Sequence, residues 1–336
     1  MPKFQTSLTR LLNIDLPIVQ APMAFVASPM LVAAVSNAGG LGMLSVTWRD
    51  LDSTRQVIRE VRKFTNRPFG VNLGLAWPQE ERLEACLDEG VPIVSLFWGD
   101  PAKHVAKIHA AGALLMHTVG SAAEARRVSE AGVDIIVAQG WEAGGHVWGT
   151  VATLPLVPLV ADAVAPKPVV AAGGIADGRG LAAALMLGAA GVWVGTRFLA
   201  SEEAAAHATY KERVLKAEET DTVYSTVFDG GWPSNSPHRT LKNETITRWE
   251  MAGSAPSGQR PGEGEVIASW PDGRPINRYE STYPFPGITG DVQALALYAG
   301  QSAGLVSRIE PAGEIAREMA EEAAKVLRFG SEIVSS

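Results

Sequence analysis

Cysteine, long apolar runs and basic tracts are scarce or absent in this sequence of 336 residues. Its single cysteine, Cys86, excludes an internal disulfide and a cysteine-rich zinc site and fits a reducing compartment. No run of about 18 uncharged apolar residues occurs, and the amino terminus does not place a charged segment before an apolar one. We therefore expect a cytoplasmic protein that neither spans a membrane nor is secreted.

The charge balance and the histidine spacing exclude two further classes of partner. The chain has 29 basic and 36 acidic residues, a net charge of -7. Because no basic tract is present, nucleic acid is not an expected partner. No histidine or carboxylate pair with metal-ligand spacing follows a predicted strand, so we expect no metal. With 46% hydrophobic residues, the chain can bury a large core.

Short apolar runs recur along the first two thirds of the chain, and helical patterns separate them. Most runs are continuously apolar, which is typical of parallel strands that are covered on both faces. One helical pattern extends over residues 121–131, with Gly132 as its stop. Eight successive βα units predict an α/β fold, a (β/α)8 TIM barrel, rather than a doubly wound open sheet. The predicted strands are 17–20, 41–44, 69–73, 93–96, 113–116, 135–138, 168–172 and 191–195.

The alternation stops after Phe198, and residues 208–290 form an irregular segment with many turn signals. We predict a barrel from residues 1–207 and 291–336, with an inserted lid or small substrate domain at 208–290. Long insertions in compact domains are usually functional, which favours a lid over the barrel mouth. The alternative is that residues 208–290 form a poorly ordered loop. Helices are expected at 209–219, 239–252, 292–306 and 311–329, and an aromatic, proline-rich stretch at 279–286.

A glycine-rich segment, residues 139–149, follows the sixth predicted strand and carries His146. Rigid strands position the loops that carry chemistry, and histidine titrates near neutral pH. In barrels of this type the active site lies at the carboxyl ends of the strands. His146 is therefore our candidate catalytic residue, either as a base or as an N–H donor to a substrate oxygen. A structural histidine that bonds the loop is the alternative.

Other strand ends have residues that suit a phosphate and a flat aromatic cofactor. Gly173 and Gly174 follow strand seven, and Gly195 and Thr196 follow strand eight, where such barrels often hold a phosphate. Glycine lets backbone N–H groups approach closely, and a helix amino terminus adds a favourable dipole. Tight turns alone would also favour glycine here. A flat cofactor needs donors along its edge, which Ala21, Met23, Asn72 and Gln139 can supply. His117, also at a strand end, either contacts the cofactor or packs.

Six motifs together resemble the nitronate monooxygenase family, formerly called 2-nitropropane dioxygenases. The likeness covers about residues 11–201 and resumes weakly at 298–302. It implies a barrel that binds FMN without a covalent bond and oxidises alkyl nitronates, such as propionate 3-nitronate, with O2 to a carbonyl product and nitrite. His146 matches the active-site histidine of the family. The motifs are residues 20–23, 36–42, 69–72, 139–146, 172–178 and 195–198. Taking resemblance and placement together, the predicted FMN contacts are Ala21, Pro22, Met23, Asn72, His117, Gln139, Gly144, Gly145, Ala172, Gly173, Gly174, Gly195 and Thr196.

Other proteins on this fold share the same loops. A flavin-dependent enoyl-acyl carrier protein reductase resembles residues 142–146, and an NAD(P)H-dependent quinone reductase is a related alternative. Two features argue against the acyl reductase: Trp148 and the long aromatic insertion. Cys86 lies in a predicted outer helix, which argues against the purine nucleotide dehydrogenases that use a loop cysteine. A flavin-binding scaffold without activity is a further alternative, and a homodimer is left open.

The remaining histidines lie in predicted helices or in the irregular segment. We therefore expect His104, His109, His207 and His238 to be surface or loop residues.

Overall fold

The computed structural model describes residues 2–333, and a barrel of eight parallel strands is its central feature. The sheet order is β1-β9-β8-β6-β5-β4-β3-β2. The first and last strands of this order meet through the N–H of Leu41, which donates to the oxygen of Ile18 at 2.9 Å. The predicted (β/α)8 TIM barrel is confirmed. In chain order the strands are β1 Ile18–Gln20, β2 Gly42–Ser45, β3 Phe69–Gly74, β4 Ile93–Phe97, β5 Leu114–Val119, β6 Ile135–Gln139, β7 Gly145–His146, β8 Val169–Ala172, β9 Gly191–Val194, β10 Thr222–Ser225, β11 His238–Leu241, β12 Val266–Ser269, β13 Pro275–Asn277 and β14 Thr289–Gly290.

Helices surround the barrel and alternate with its strands. The predicted helix at 121–131 is α6, and it begins where the Ser121 hydroxyl accepts the N–H of Glu124 at 3.2 Å. The 3-10 helices are Ala24–Val26, Val292–Ala294 and Gln301–Leu305. The α-helices are α1 Ser7–Leu12, α2 Pro29–Asn37, α3 Leu51–Phe64, α4 Glu80–Asp88, α5 Ala102–Ala110, α6 Ala122–Glu130, α7 Thr153–Val164, α8 Gly178–Met186, α9 Thr196–Leu199, α10 Ala208–Leu215, α11 Glu244–Met251 and α12 Ala312–Glu332.

The barrel interior is filled with apolar side chains, and its amino-terminal end is closed. Val19, Met43, Met116 and Val137 belong to one buried cluster inside the barrel. Leu8 of α1 joins the same cluster and is fully buried. The interior is thus a packed core rather than a pore. Because the bottom is plugged, the open end lies where the strands end in their carboxyl-terminal loops.

Two predicted helices in the last third of the chain were wrong in part. Residues 238–241 of the first form strand β11, and α11 starts only after Asn243, whose side chain accepts the N–H of Ile246 at 3.1 Å. The predicted helix at 292–306 is interrupted by an extended stretch, in which the oxygen of Leu297 accepts the N–H of Leu241 at 2.8 Å. Pairing with a strand that is distant in sequence overrides the local helical pattern.

The segment 208–290 adds strands to the active-site end of the barrel. β10, β11 and β7 form an antiparallel sheet, in which His238 of β11 lies opposite His146 of β7. A second antiparallel sheet has the order β13-β12-β14. The loop that carries His146 is therefore paired, through its backbone, with the inserted segment.

Gly42 lies where β2 approaches α2 most closely. An added Cβ at Gly42 would lie 2.2 Å from the backbone oxygen of Val32, and a backbone atom cannot move aside easily. We expect Gly42→Ala to lower the free energy of unfolding by about 2 kcal/mol, the middle of the usual range for overpacking. Chemical denaturation measures this difference. Gly330→Ala is the control, since no atom lies within 4 Å of the added Cβ there. An equal loss in both variants would contradict the steric explanation.

Candidate active site

A cavity of about 870 Å³ opens at the carboxyl end of the barrel. This volume is near the upper end of the roughly 300–1,000 Å³ found for ligand pockets, so the cavity has room for a large ligand. Strand ends, the His146 loop and the inserted segment all line it. The predicted site residues that line it are Ala21, Pro22, Met23, Asn72, Gln139, Gly144, Gly145, His146, Ala172, Gly173, Gly174, Gly195 and Thr196. Residues 208–290 contribute Tyr210, Gly230, Gly231, Trp232, Trp270, Arg274, Glu280, Ser281, Thr282, Tyr283 and Phe285.

The structure places His117, a predicted cofactor contact, away from this cavity. In β5, Met116 joins the cluster inside the barrel and Thr118 lines the cavity. Side chains alternate along a strand, so His117 projects to the outer face together with Leu115 and Val119. Burial there lowers the pKa of His117 to about 4. His117 does lie near the end of β5, as predicted. Position at a strand end alone, however, does not tell whether a side chain faces the cavity or the outside of the barrel.

Gln139, at the end of β6, holds the loop that carries His146. Its Nε2 donates to the backbone oxygen of His146 at 3.1 Å, and its Oε1 accepts the N–H of Trp148 at 2.9 Å. Both ends of the amide are therefore used within the loop, although the side chain also lines the cavity. Gly145 has a φ of +75°, a conformation that side-chain-bearing residues rarely adopt, and a Cβ there would meet no atom within 4 Å.

The same loop packs tightly against residues 299–301. A Cβ on Gly144 would lie 2.4 Å from the nitrogen of Gly300, and a Cβ on Gly300 would lie 2.7 Å from the oxygen of Glu142. The N–H of Gln301 donates to that oxygen at 3.0 Å, and the N–H of Gly300 donates to the Thr196 hydroxyl at 3.0 Å. Gly144 is therefore required for close backbone packing as well as for its place at the cavity.

His146 lies under the ring of Trp232, a residue of the inserted segment. The two ring centroids are 3.4 Å apart and the planes are inclined by 16°, which is a stacked arrangement. Trp98 and Tyr298 contact the imidazole at centroid distances of 5.7 and 5.5 Å. The Nε2 of His146 is shielded from solvent and has no hydrogen-bond partner within residues 2–333. Desolvation, with a smaller contribution from His238, lowers the pKa of His146 well below its usual value, so the ring is neutral at pH 7.

Two histidines that we predicted to be surface or loop residues are buried. His238 is fully buried; its Nε2 accepts the N–H of Phe228 at 3.2 Å and its Nδ1 lies 3.1 Å from the oxygen of Ser236. These partners fix one neutral tautomer, and burial lowers the pKa of His238 to about 4. His104 is also buried, in α5. The prediction followed a helical pattern at His238, where the chain forms a buried strand.

Sequence reasoning also missed aromatic residues of the cavity wall. Trp232, Tyr283 and Tyr298 all line the cavity. From the sequence, Trp232 belongs to a predicted turn, Tyr283 to the proline-rich stretch and Tyr298 to the part of the chain that resembles the family only weakly. The Gly230-Gly231-Trp232-Pro233 sequence could have indicated that Trp232 is a site residue, because it places a large aromatic ring on a tight turn. Cys86 was placed correctly in an outer helix: it is buried in α4, and burial raises its pKa to about 12.

The donor set at the ends of β8 and β9 fits a phosphate. The N–H groups of Gly174, Gly195 and Thr196 have no backbone or side-chain acceptor in the described chain, and all three residues line the cavity. The amino terminus of α8 does not contribute as we expected. Asp177 accepts the N–H groups of Arg179 and Gly180, and Glu322 accepts that of Gly178 at 2.7 Å. The N–H groups at the start of α8 are therefore already bonded to carboxylates of the chain.

The family model for nitronate monooxygenases matches residues 5–81 and 74–322. The chain belongs to the nitronate monooxygenase family. It is therefore an oxidoreductase on a TIM barrel, as the resemblance of its motifs predicted. The described residues contain no helix that could cross a membrane and no group of three or more residues that could hold a metal ion.

Two similar proteins differ in the activity that their names state, and a third is similar in structure over almost the whole chain. A (3aS,4S,5R,7aS)-5-hydroxy-7a-methyl-1-oxo-octahydro-1H-indene-4-carboxyl-CoA dehydrogenase of Mycobacterium tuberculosis is 42% identical over 75% of this chain and 70% of its own length. A nitronate monooxygenase of Pseudomonas aeruginosa is 38% identical over 69% of this chain and 79% of its own. FabK from Thermotoga maritima is 32% identical, with a TM-score of 0.82 over 99% of this chain and 100% of its own.

Removing the ring that covers His146 should change its titration. Because desolvation is the largest cause of the lowered pKa, we expect Trp232→Ala to raise the pKa of His146 toward its usual value. Titration of the imidazole followed by NMR measures this pKa. Trp77→Ala is the matched control, since Trp77 contacts Trp232 at 4.9 Å between centroids but forms no ring contact with His146. A pKa that stays low in Trp232→Ala would show that the stacked ring is not the source of the desolvation.

Proposed function

We propose that the chain binds FMN in the cavity and oxidises alkyl nitronates with O2, giving a carbonyl product and nitrite. Family membership supports the flavin, and the free backbone donors at the ends of β8 and β9 support a site for its phosphate. In this proposal Gly174, Gly195 and Thr196 hold the phosphate, while Met23 and Asn72 lie along the ring. When bound, FMN supplies an acceptor for the electrons that leave the substrate.

The observation that supports this chemistry best is the unpartnered, shielded Nε2 of His146 at the cavity. A nitronate is already a carbanion equivalent, with its charge delocalised onto oxygen, so the protein needs mainly to bind that charge. A neutral imidazole can donate one N–H to a nitronate oxygen. For a neutral nitroalkane, the same ring can accept the α proton. The stacked ring of Trp232 excludes water from this nitrogen, which strengthens a hydrogen bond to the nitronate charge, whereas the lowered pKa makes the ring a weaker base.

The inserted segment has a role of its own in this proposal. Residues of 208–290 line the cavity, and β11 pairs with the strand that carries His146. We propose that the segment is a lid that completes the substrate site above a barrel that holds the cofactor. The proposed partners are a nitronate or nitroalkane and O2.

A second candidate is an FMN-dependent oxidoreductase that uses NAD(P)H or a thioester substrate, such as an enoyl-acyl carrier protein reductase or a quinone reductase. The 42% identity to a CoA-ester dehydrogenase favours this class. A cavity of about 870 Å³ also leaves more room than a small nitronate needs beside a flavin.

Anaerobic reduction of the bound flavin separates the two candidates. Purified protein is mixed without O2 with propionate 3-nitronate, and in a separate cuvette with NADH, and the flavin absorbance is followed. We expect the nitronate to bleach the flavin and NADH to leave it oxidised. Bleaching by NADH alone would replace the proposed function with the second candidate. Protein that releases no FMN on heating would contradict both.

Substitution of His146 tests its two possible roles. If His146 takes the α proton, His146→Asn should slow turnover of neutral nitroalkanes by about a hundredfold, within the usual range for a general base, and that of preformed nitronates much less. Asparagine keeps an N–H donor but cannot act as a base. Gln139→Asn is a useful comparison, because it loosens the loop that carries His146 while the imidazole itself is kept, and it should therefore slow both substrates alike. Equal losses for both substrates in His146→Asn would instead assign His146 to binding.

A further inference from the structure

Three aromatic rings of the cavity wall form a continuous strip, which we call the aromatic strip: Phe25, Phe285 and Trp270. The centroids of Phe25 and Phe285 are 6.1 Å apart, and those of Phe285 and Trp270 are 5.4 Å apart. A guanidinium lies at each end, Arg49 at 4.9 Å from the Phe25 ring and Arg274 at 5.2 Å from the Trp270 ring. Flat apolar faces are thus bounded by two positive charges.

Arg49 has no anionic partner in the described chain. Its Nε is shielded from solvent and its N–H donates to no acceptor within residues 2–333, and no carboxylate there forms an ion pair with Arg49. The neighbouring Asp50 is engaged at the start of α3, where it accepts the N–H of Ser53 at 2.7 Å. The hydroxyl of Tyr283 accepts the N–H of Phe25 at 2.7 Å, and burial raises the pKa of Tyr283, so it supplies no negative charge. A partly buried cation without a counter-ion is unfavourable, and a bound anion would relieve this.

Arg274 can also exchange its partner. It forms an ion pair with Asp272 at 2.8 Å, but both side chains are more than half exposed, so this pair contributes little stability. The turn is held by its own backbone, because the N–H of Trp270 donates to the oxygen of Arg274 at 2.9 Å. The guanidinium can therefore turn to another anion without unfolding the hairpin.

We propose that the aromatic strip and its two arginines bind the adenosine diphosphate part of a coenzyme-sized ligand. Guanidinium groups bind phosphate oxygens through paired hydrogen bonds, and aromatic faces stack with a purine ring. Adenosine diphosphate is shared by NAD(P)H and by CoA thioesters, so the proposal rests on the second candidate function and names the recognised part of its ligand. A small nitronate has neither a purine nor a phosphate and would leave the strip unused.

The test uses protein loaded with FMN, so that the flavin phosphate site is already filled. Isothermal titration calorimetry measures the affinity for ADP and for adenosine, which lacks the phosphates. We expect ADP to bind in a saturable way and adenosine to bind more weakly. Arg49→Gln should weaken ADP binding about tenfold and leave adenosine binding nearly unchanged, because a charged hydrogen bond to phosphate is lost. Arg274→Gln should act in the same direction by about threefold.

Arg62→Gln is the matched control, since Arg62 also lies over a ring, Phe69 at 5.9 Å, but that ring, unlike Phe25, does not line the cavity. Phe285→Leu is a second variant that keeps both guanidinium groups. It should weaken ADP and adenosine alike, and it tests the proposal if Arg49→Gln does not fold, which circular dichroism and FMN content would show. Absence of saturable ADP binding, or equal affinities in Arg49→Gln and Arg62→Gln, would overturn the proposal.

Competition identifies the natural source of the ADP group. Displacement of ADP by NADH indicates a nicotinamide donor, and displacement by CoA indicates a thioester substrate; either result supports the site. If neither displaces ADP, the assignment to a coenzyme is overturned. The flavin-bleaching experiment with nitronate is independent of these titrations, so failure of nitronate oxidation and failure of this site are told apart.

Discussion

Two glycine backbones, at Gly144 and Gly300, approach so closely that neither position has room for a side chain. This contact joins the loop after β6 to the segment that follows the insertion. The hydrogen bond from Gly300 to the Thr196 hydroxyl extends the junction to the end of β9. Because the loop at Gly144 leads directly into His146, the position of the candidate catalytic ring depends on parts of the chain more than 150 residues later. The barrel alone does not fix it.

The inserted segment then completes the environment of His146. β11 pairs with the two-residue strand β7, and the pairing sets His238 opposite His146. His238 uses both ring nitrogens within its own segment, and its contribution to the lowered pKa of His146 is smaller than that of desolvation. Trp232 covers the imidazole from the same segment. Desolvation is the largest cause of the lowered pKa of His146, and the insertion supplies the ring that is stacked on the imidazole.

The parts that could be predicted from the sequence are those with local signals. Continuous apolar runs identified the eight barrel strands, and glycine-rich strand ends identified the loops that line the cavity. Parallel topology brings strand ends together, so placement at such an end was enough for Asn72 or Gly195. It was not enough for His117, because alternation along β5 turns that side chain outward. His238 was misjudged because its strand forms only by pairing with distant chain, and no local pattern encodes such a partner.

In the proposed function the barrel loops hold the cofactor and the insertion contacts the substrate. This separation explains how relatives on one fold can differ in the activity that their names state. The loops after β8 and β9 offer backbone N–H groups, which recognise a phosphate whatever substrate is bound. These loops belong to the part of the chain that resembles relatives with different stated activities, a nitronate monooxygenase and a CoA-ester dehydrogenase. In the proposed function, selection between substrates then comes from side chains above the proposed flavin site. There the insertion supplies Trp232 over His146 and Trp270 beside Phe285. Under the proposed function, a change in substrate therefore requires changes in the insertion, while the loops after β8 and β9 stay as they are.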